Sequence, residues 1–110
     1  ILTILHNPRC SKSRKALSLL KESGKQINII DYMKGGLSPS KLRAILLKLN
    51  AKATDILRPK ESKEEKIDKL NDEELINAMC QFPRTIQRPI IINDDKAIIG
   101  RPPERVKELL

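Results

Sequence analysis

Aromatic side chains are almost missing from this chain of 110 residues, which has no tryptophan, one tyrosine (Tyr32) and one phenylalanine (Phe82). With so little for bases to stack on and no recognised nucleic-acid motif, no nucleic-acid partner is expected, despite a formal net charge of +8. Histidine occurs once, as His6, and cysteine twice, as Cys10 and Cys80, 70 positions apart. Ligands so scattered do not make a zinc cluster, so no metal is expected. Two distant cysteines are no disulfide framework either. With no signal-peptide pattern at the start, reduced thiols and a cytoplasmic location are expected. An initiator Met is expected ahead of Ile1. No apolar run approaches the ~20 residues that span a bilayer, so no membrane partner is expected.

Aliphatic and charged side chains are plentiful. Hydrophobic residues make up 39% of the chain and charged residues 33%, the balance of a soluble globular protein with one modest core. Ile and Leu recur from end to end, which argues against disorder. The length suits a single domain over 1–110, and no repeat, low-complexity tract or linker divides it. A monomer is expected. The positive charge is uneven. Residues 1–36 carry seven Lys/Arg against two acids, 37–80 nine against eight, and 81–110 six against four. Four of the basic residues, Arg9, Lys12, Arg14 and Lys15, lie within five positions of Cys10. That focus favours an anion beside a thiol over general solubility.

Ile1–Leu5 is a β-branched apolar run stopped by His6-Asn7-Pro8, and it reads as a buried strand. A helix follows Cys10, with Ser11 as its expected cap, Ala16, Leu17, Leu19 and Leu20 on one face, and Gly24 after its last turn. Ile27–Ile30 is a second strand, followed by the turn-like Gly35-Gly36. A strand, a connection of helical length and a strand make a βαβ unit with parallel pairing. The middle is helical: Ser38-Pro39 opens one helix, with Leu42, Ile45, Leu46 and Leu49 at helical spacing. The stretch 60–70 is charged and solvated. Asn71 with Glu74 opens another helix, carrying Leu75, Ile76, Met79 and Cys80 on one face, where Cys80 is expected to be buried and inert. Ile90–Ile92, an Asn93-Asp94-Asp95 turn and Ala97–Ile99 form a hairpin. Pro102-Pro103-Glu104 opens a closing helix with Val106, Leu109 and Leu110 inward. The order is β-α-β, a helical insert at about 37–82, then β-β-α, an α/β fold.

The most informative stretch is His6-Asn7-Pro8-Arg9-Cys10-Ser11-Lys12-Ser13-Arg14. It sets a thiol at the N-terminus of the first helix, where unsatisfied backbone N–H groups and nearby cations favour the thiolate and welcome an oxyanion. Such a sulfur can attack the central atom of an oxyanion or exchange with a disulfide. Ser13 stands where a Cys-x-x-Cys motif has its second sulfur, so turnover needs a thiol from outside the chain.

This motif, with Ile56-Leu57-Arg58, Arg88-Pro89-Ile90-Ile91 and Gly100-Arg101-Pro102-Pro103-Glu104, resembles the glutaredoxin-dependent arsenate reductases, most closely their short bacterial branch. The resemblance covers essentially the whole chain. It implies a thioredoxin-like four-stranded mixed sheet, with Cys10 as nucleophile and Arg58, Arg88 and Arg101 as the arginines that bind arsenate. Each of these arginines precedes a proline, which holds its backbone extended. Pro89 is implied to be the cis proline beside the cysteine loop. His6 and Ser13 are implied in support, His6 by tuning Cys10 or orienting Ser13, although His6 is equally readable as a hydrogen-bonded residue at a strand end. The implied partners are arsenate as substrate, glutathione as co-substrate and glutaredoxin, with no bound cofactor. Two alternatives stand beside this reading. One is a redox-responsive transcription regulator of the same fold that binds RNA polymerase, against which Ser13 counts. The other is a glutathione-linked thiol reductase with a different substrate.

Overall fold

The computed structural model describes residues 1–35 and 37–110, so Gly36 of the expected Gly35-Gly36 turn lies outside the described residues. The chain divides into two compact units, Ile1–Gly36 with Arg88–Leu110, and Leu37–Gln87.

The first unit is built on four short strands: β1 (Leu2–Leu5), β2 (Ile27–Ile30), β3 (Ile90–Asn93) and β4 (Lys96–Ile99), in the order β2-β1-β3-β4. β1 runs parallel to β2 and antiparallel to β3, and β3 is antiparallel to β4, so the sheet is mixed as expected. Helix α1 (Ser11–Glu22) makes the parallel crossover. It buries Ala16 and Leu20 against Leu2, Ile4, Ile91, Val106 and Leu109, with Leu17 and Leu19 packed at the margin. Each fully buried Leu or Ile in such a cluster contributes about 1.5–3 kcal/mol over leaving it in water. Gly24 ends α1 in the left-handed region at φ 75°, where its N–H donates to the Lys21 carbonyl at 3.2 Å.

Three expectations are corrected here. Cys10, not Ser11, is the cap of α1, in extended conformation and with no side-chain cap bond. Asn93 belongs to β3, and the hairpin turns on Asp94-Asp95 alone, with Asp94 at φ 56°. The closing segment is a 3-10 helix (Pro103–Leu109) that buries Val106 and Leu109, while Leu110 is 44% exposed. Gly100 is fixed by a close approach: a Cβ there would lie 2.8 Å from Ile91 Cδ1 and 3.1 Å from Pro89 Cγ.

The second unit holds α2 (Pro39–Leu49), α3 (Pro59–Glu64) and α4 (Asp72–Gln81). Ser38 caps α2 by accepting from Lys41 N–H, and Asn71 caps α4 by accepting from Glu74 N–H at 2.9 Å. Their buried faces are Leu42, Ile45 and Leu46 on α2, and Leu75, Ile76, Ala78 and Met79 on α4. The charged stretch after Arg58 is anchored by buried Ser62 and Ile67. Among the described residues, no helix is long and apolar enough to cross a membrane.

Candidate active site

The sheet register decides which loops meet. Leu5 pairs with Ile30 and with Ile90, and Ile90 pairs with Ile99. The loop after β1 (His6–Cys10), the segment after β2 (Asp31–Lys34), the approach to β3 (Arg88-Pro89) and the exit from β4 (Gly100-Arg101) therefore all leave the sheet at one end. The Gly100 N–H donates to the Pro89 carbonyl at 2.8 Å, closing the base of the hairpin between Arg88 and Arg101. Both Arg88-Pro89 and Arg101-Pro102 are cis.

The cysteine loop is braced from within. His6 N–H donates to the Ile30 carbonyl at 2.8 Å, and Cys10 N–H to the Asn7 carbonyl at 3.0 Å. The Asn7 carboxamide oxygen accepts from Arg9 N–H at 3.0 Å, and the Arg14 guanidinium reaches the Pro8 carbonyl at 2.8 Å. Ser13 is fully buried on the first turn of α1, and its hydroxyl accepts from Asn7 N–H at 3.1 Å. It also lies 2.6 Å from Nδ1 of His6, itself 8% exposed. Burial lowers the His6 pKa; Asp31 opposes this, and Lys21 and Arg14 add to it. A neutral ring can accept the Ser13 hydroxyl proton at Nδ1.

These contacts aim backbone donors at sulfur. Burial alone would raise the Cys10 pKa, but the backbone N–H of Ser13, the Arg88 side chain and the backbone N–H of Lys12 all bond the sulfur. With the added charge of Arg88, the net shift is downward. Cys10 is half-buried, so the sulfur remains reachable. A thiolate held by N–H groups and a guanidinium is a nucleophile with an anion cradle around it.

Of the residues expected from sequence, Cys10, His6, Ser13 and Arg88 are thus brought together by contact. Pro89 is buried beside Arg88 at the start of β3, and Arg101 leaves the same end of the sheet. Arg58 belongs to the second unit, at the N-terminus of α3. Its backbone N–H donates to the Thr85 carbonyl at 2.7 Å, and its Nε bonds Glu61 at 2.8 Å with both side chains mostly buried. Sequence reasoning missed Glu61, which its place three residues beyond Arg58 on a helix opened by Pro59 could have signalled. It reads Asn7 only as part of the turn that stops β1 and misses its bonds to Arg9, Cys10 and Ser13. Among the described residues, no cluster of three or more His, Cys, Asp or Glu could hold a metal ion.

A cysteine at the β1–α1 junction of a β2-β1-β3-β4 sheet, with a cis proline leading into β3, defines a thiol protein of thioredoxin-like fold. Residues 5–109 match the ArsC family, and the chain belongs to it. It is 41% identical over 113 residues to the uncharacterized protein YfgD of Escherichia coli (strain K12), covering 97% of this chain and 94% of that one. It is 41% identical over 114 residues to an arsenate reductase of Haemophilus influenzae, covering 97% of both chains. The solved structure of an arsenate reductase from Vibrio cholerae superposes with a TM-score of 0.91 at 35% identity, covering 99% of this chain and 97% of that one.

Proposed function

We propose that this protein is a cytoplasmic arsenate reductase in which Cys10 is the nucleophile and glutathione and glutaredoxin supply the electrons. The observation that carries this reading is the placement of Cys10 at the N-cap of α1, where the Ser13 and Lys12 N–H groups and Arg88 lower its pKa against the effect of burial. Membership of the ArsC family and likeness to arsenate reductases support the substrate. In the first step Cys10 sulfur bonds to As(V) and one arsenate oxygen leaves as water, taking up two protons. Arg88, Arg101 and Arg58 hold the remaining oxygens, for which planar guanidinium groups suit better than lysine. Glutathione then bonds to arsenic through its sulfur, its thiol proton leaving with a second arsenic-bound hydroxyl as water, and a thiol of glutaredoxin attacks the glutathione sulfur. The electron pair of the As–S bond stays on arsenic, giving As(III) on Cys10 and a glutaredoxin–glutathione disulfide. Hydrolysis releases arsenite and restores the thiol. Ser13 cannot take the second sulfur's part, which is why the reductant comes from outside.

The test is NADPH consumption with arsenate, glutathione, glutaredoxin and a glutathione-recycling system. The expected result is turnover that Cys10→Ser abolishes and that Arg58→Ala, Arg88→Ala and Arg101→Ala each weaken. Absence of turnover at millimolar arsenate with an intact protein overturns the arsenate assignment.

A further inference from the structure

Beside the cysteine loop lies an open cleft of about 450 Å³ lined by Asn7, Pro8, Arg9, Asp31, Met33 and Lys34. Its two walls are the loops that leave β1 and β2, which are parallel neighbours paired through Leu5 and Ile30. The cleft lies outside the carboxyl ends of these two strands, and its volume is that of a small-molecule site. One wall ends in Arg9, the residue before Cys10, so a molecule seated here borders the cysteine loop.

The lining selects among ligands. Arg9 and Lys34 offer two cationic groups, and Asp31 offers one anionic group. The Asp31 carboxylate accepts from Met33 N–H at 3.2 Å, which fixes its position and leaves it acceptor capacity. Met33 and Pro8 supply apolar surface between the charges. A simple oxyanion would gain from the cations but meet Asp31, and a polycation would be repelled twice. The complementary ligand carries two carboxylates and one ammonium on a short, partly apolar frame. We propose that this cleft binds the small peptide thiol that reduces the Cys10 adduct, with its carboxylates at Arg9 and Lys34 and its α-ammonium at Asp31. Glutathione has these groups. The inference rests on the arsenate reductase reading for its role, since it assigns the place from which the second thiol reaches Cys10.

Binding is separable from turnover, and the test uses that. S-methylglutathione, which cannot react, is titrated into the full chain and followed by amide chemical shifts. The expected result is saturable shifts confined to Asn7, Arg9, Asp31, Met33 and Lys34, with inorganic phosphate at equal ionic strength failing to compete. The double variant R9E/K34E should weaken binding by about tenfold or more. Asp31→Asn should weaken it about threefold, yet leave binding of the N-acetylated analogue, which lacks the ammonium, unchanged. Unchanged amide shifts of the neighbouring strands Leu2–Leu5 and Ile27–Ile30 in each variant show that the fold is intact. Competition by phosphate, shifts that map elsewhere, or affinities untouched by these changes overturn the proposal. If the analogue binds as described but arsenate is not turned over, the reductase reading fails and the thiol site stands. If arsenate is turned over and the variants keep their KM for glutathione, the site fails and the reductase reading stands.

Discussion

Cys10 and Cys80 lie in different units, and burial pushes both thiols toward higher pKa. For Cys80 that push wins: it lies near the end of α4, with only the charge of Arg43 acting in the opposite direction, and its pKa is raised. For Cys10 the push is overcome by N–H groups of the helix it caps and by Arg88. The difference is one of position on a helix rather than of exposure, since both cysteines are half-buried. Charge follows the same division. The sheet unit carries twelve Lys/Arg against six Asp/Glu, and the helical unit ten against eight. In the helical unit three arginines bond glutamates: Arg43 with Glu73, Arg58 with Glu61, and Arg84 with Glu64 and Glu65. In the sheet unit Arg105 bonds Glu108, while Arg14 bonds the carbonyl of the cysteine loop and Arg88 bonds the Cys10 sulfur. A basic surplus acts chemically only where the fold turns it toward one atom.

The sharpest way to break this contrast is to remove each sulfur. Cys10→Ser should lower turnover by roughly 10³-fold or more, as loss of a nucleophile does, while Cys80→Ser should leave the rate and the urea midpoint nearly unchanged. Next in size, Arg88→Ala should raise the Cys10 pKa and cost about 10²-fold in kcat/KM, the scale for losing a placed charged donor. Arg43→Ala, beside the other cysteine, should change neither. Gly100→Ala should follow, destabilising the sheet unit by about 1–3 kcal/mol in urea unfolding, because the added methyl meets Ile91 at 2.8 Å. Gly24 offers a comparison, since nothing lies within 4 Å of a Cβ there and only its φ of 75° resists substitution.

A smaller effect tests the brace beneath Cys10. Burial lowers the His6 pKa in the folded protein. An unfolded chain binds that proton near pH ~6.5, so the unfolded state takes up more protons as pH falls. Stability should therefore be full above that value and decline as pH falls through it, and His6→Gln should flatten the slope. Asp31 opposes the shift while Lys21 and Arg14 add to it, so Asp31→Asn should steepen the decline. The smallest effect belongs to the exposed Arg43–Glu73 pair, whose loss should be undetectable at high salt.

Local patterns made much of this legible. The strand before His6, the helix after Cys10, the caps at Ser38 and Asn71, and the hairpin about Asp94 each follow from residues close in sequence. The mixed sheet and the family followed from motifs at fixed places along the chain. Contacts closed across long separations were less legible. Asp31 reaches the surroundings of His6 only because β2 pairs with β1 in a register that sequence does not state. The same register builds the cleft between Arg9 and Lys34. Ser11 is a better cap than cysteine by propensity, yet the loop bonds from Asn7 and Ser13 start the helix one residue earlier and leave the thiol at the cap. Leu110 fits the apolar spacing of the last segment, but its three residues per turn bury Val106 and Leu109 and leave Leu110 exposed.

The central claim is that the first turn of α1 and Arg88 lower the Cys10 pKa against the effect of burial, while burial raises that of Cys80. The most direct test is the rate of iodoacetamide alkylation at each cysteine against pH, resolved by peptide mass. The account predicts a Cys10 midpoint below that of a free cysteine in the same buffer, moved upward in Arg88→Ala, and a Cys80 midpoint above it. A Cys10 midpoint at or above the free value, or one indifferent to Arg88, would contradict it.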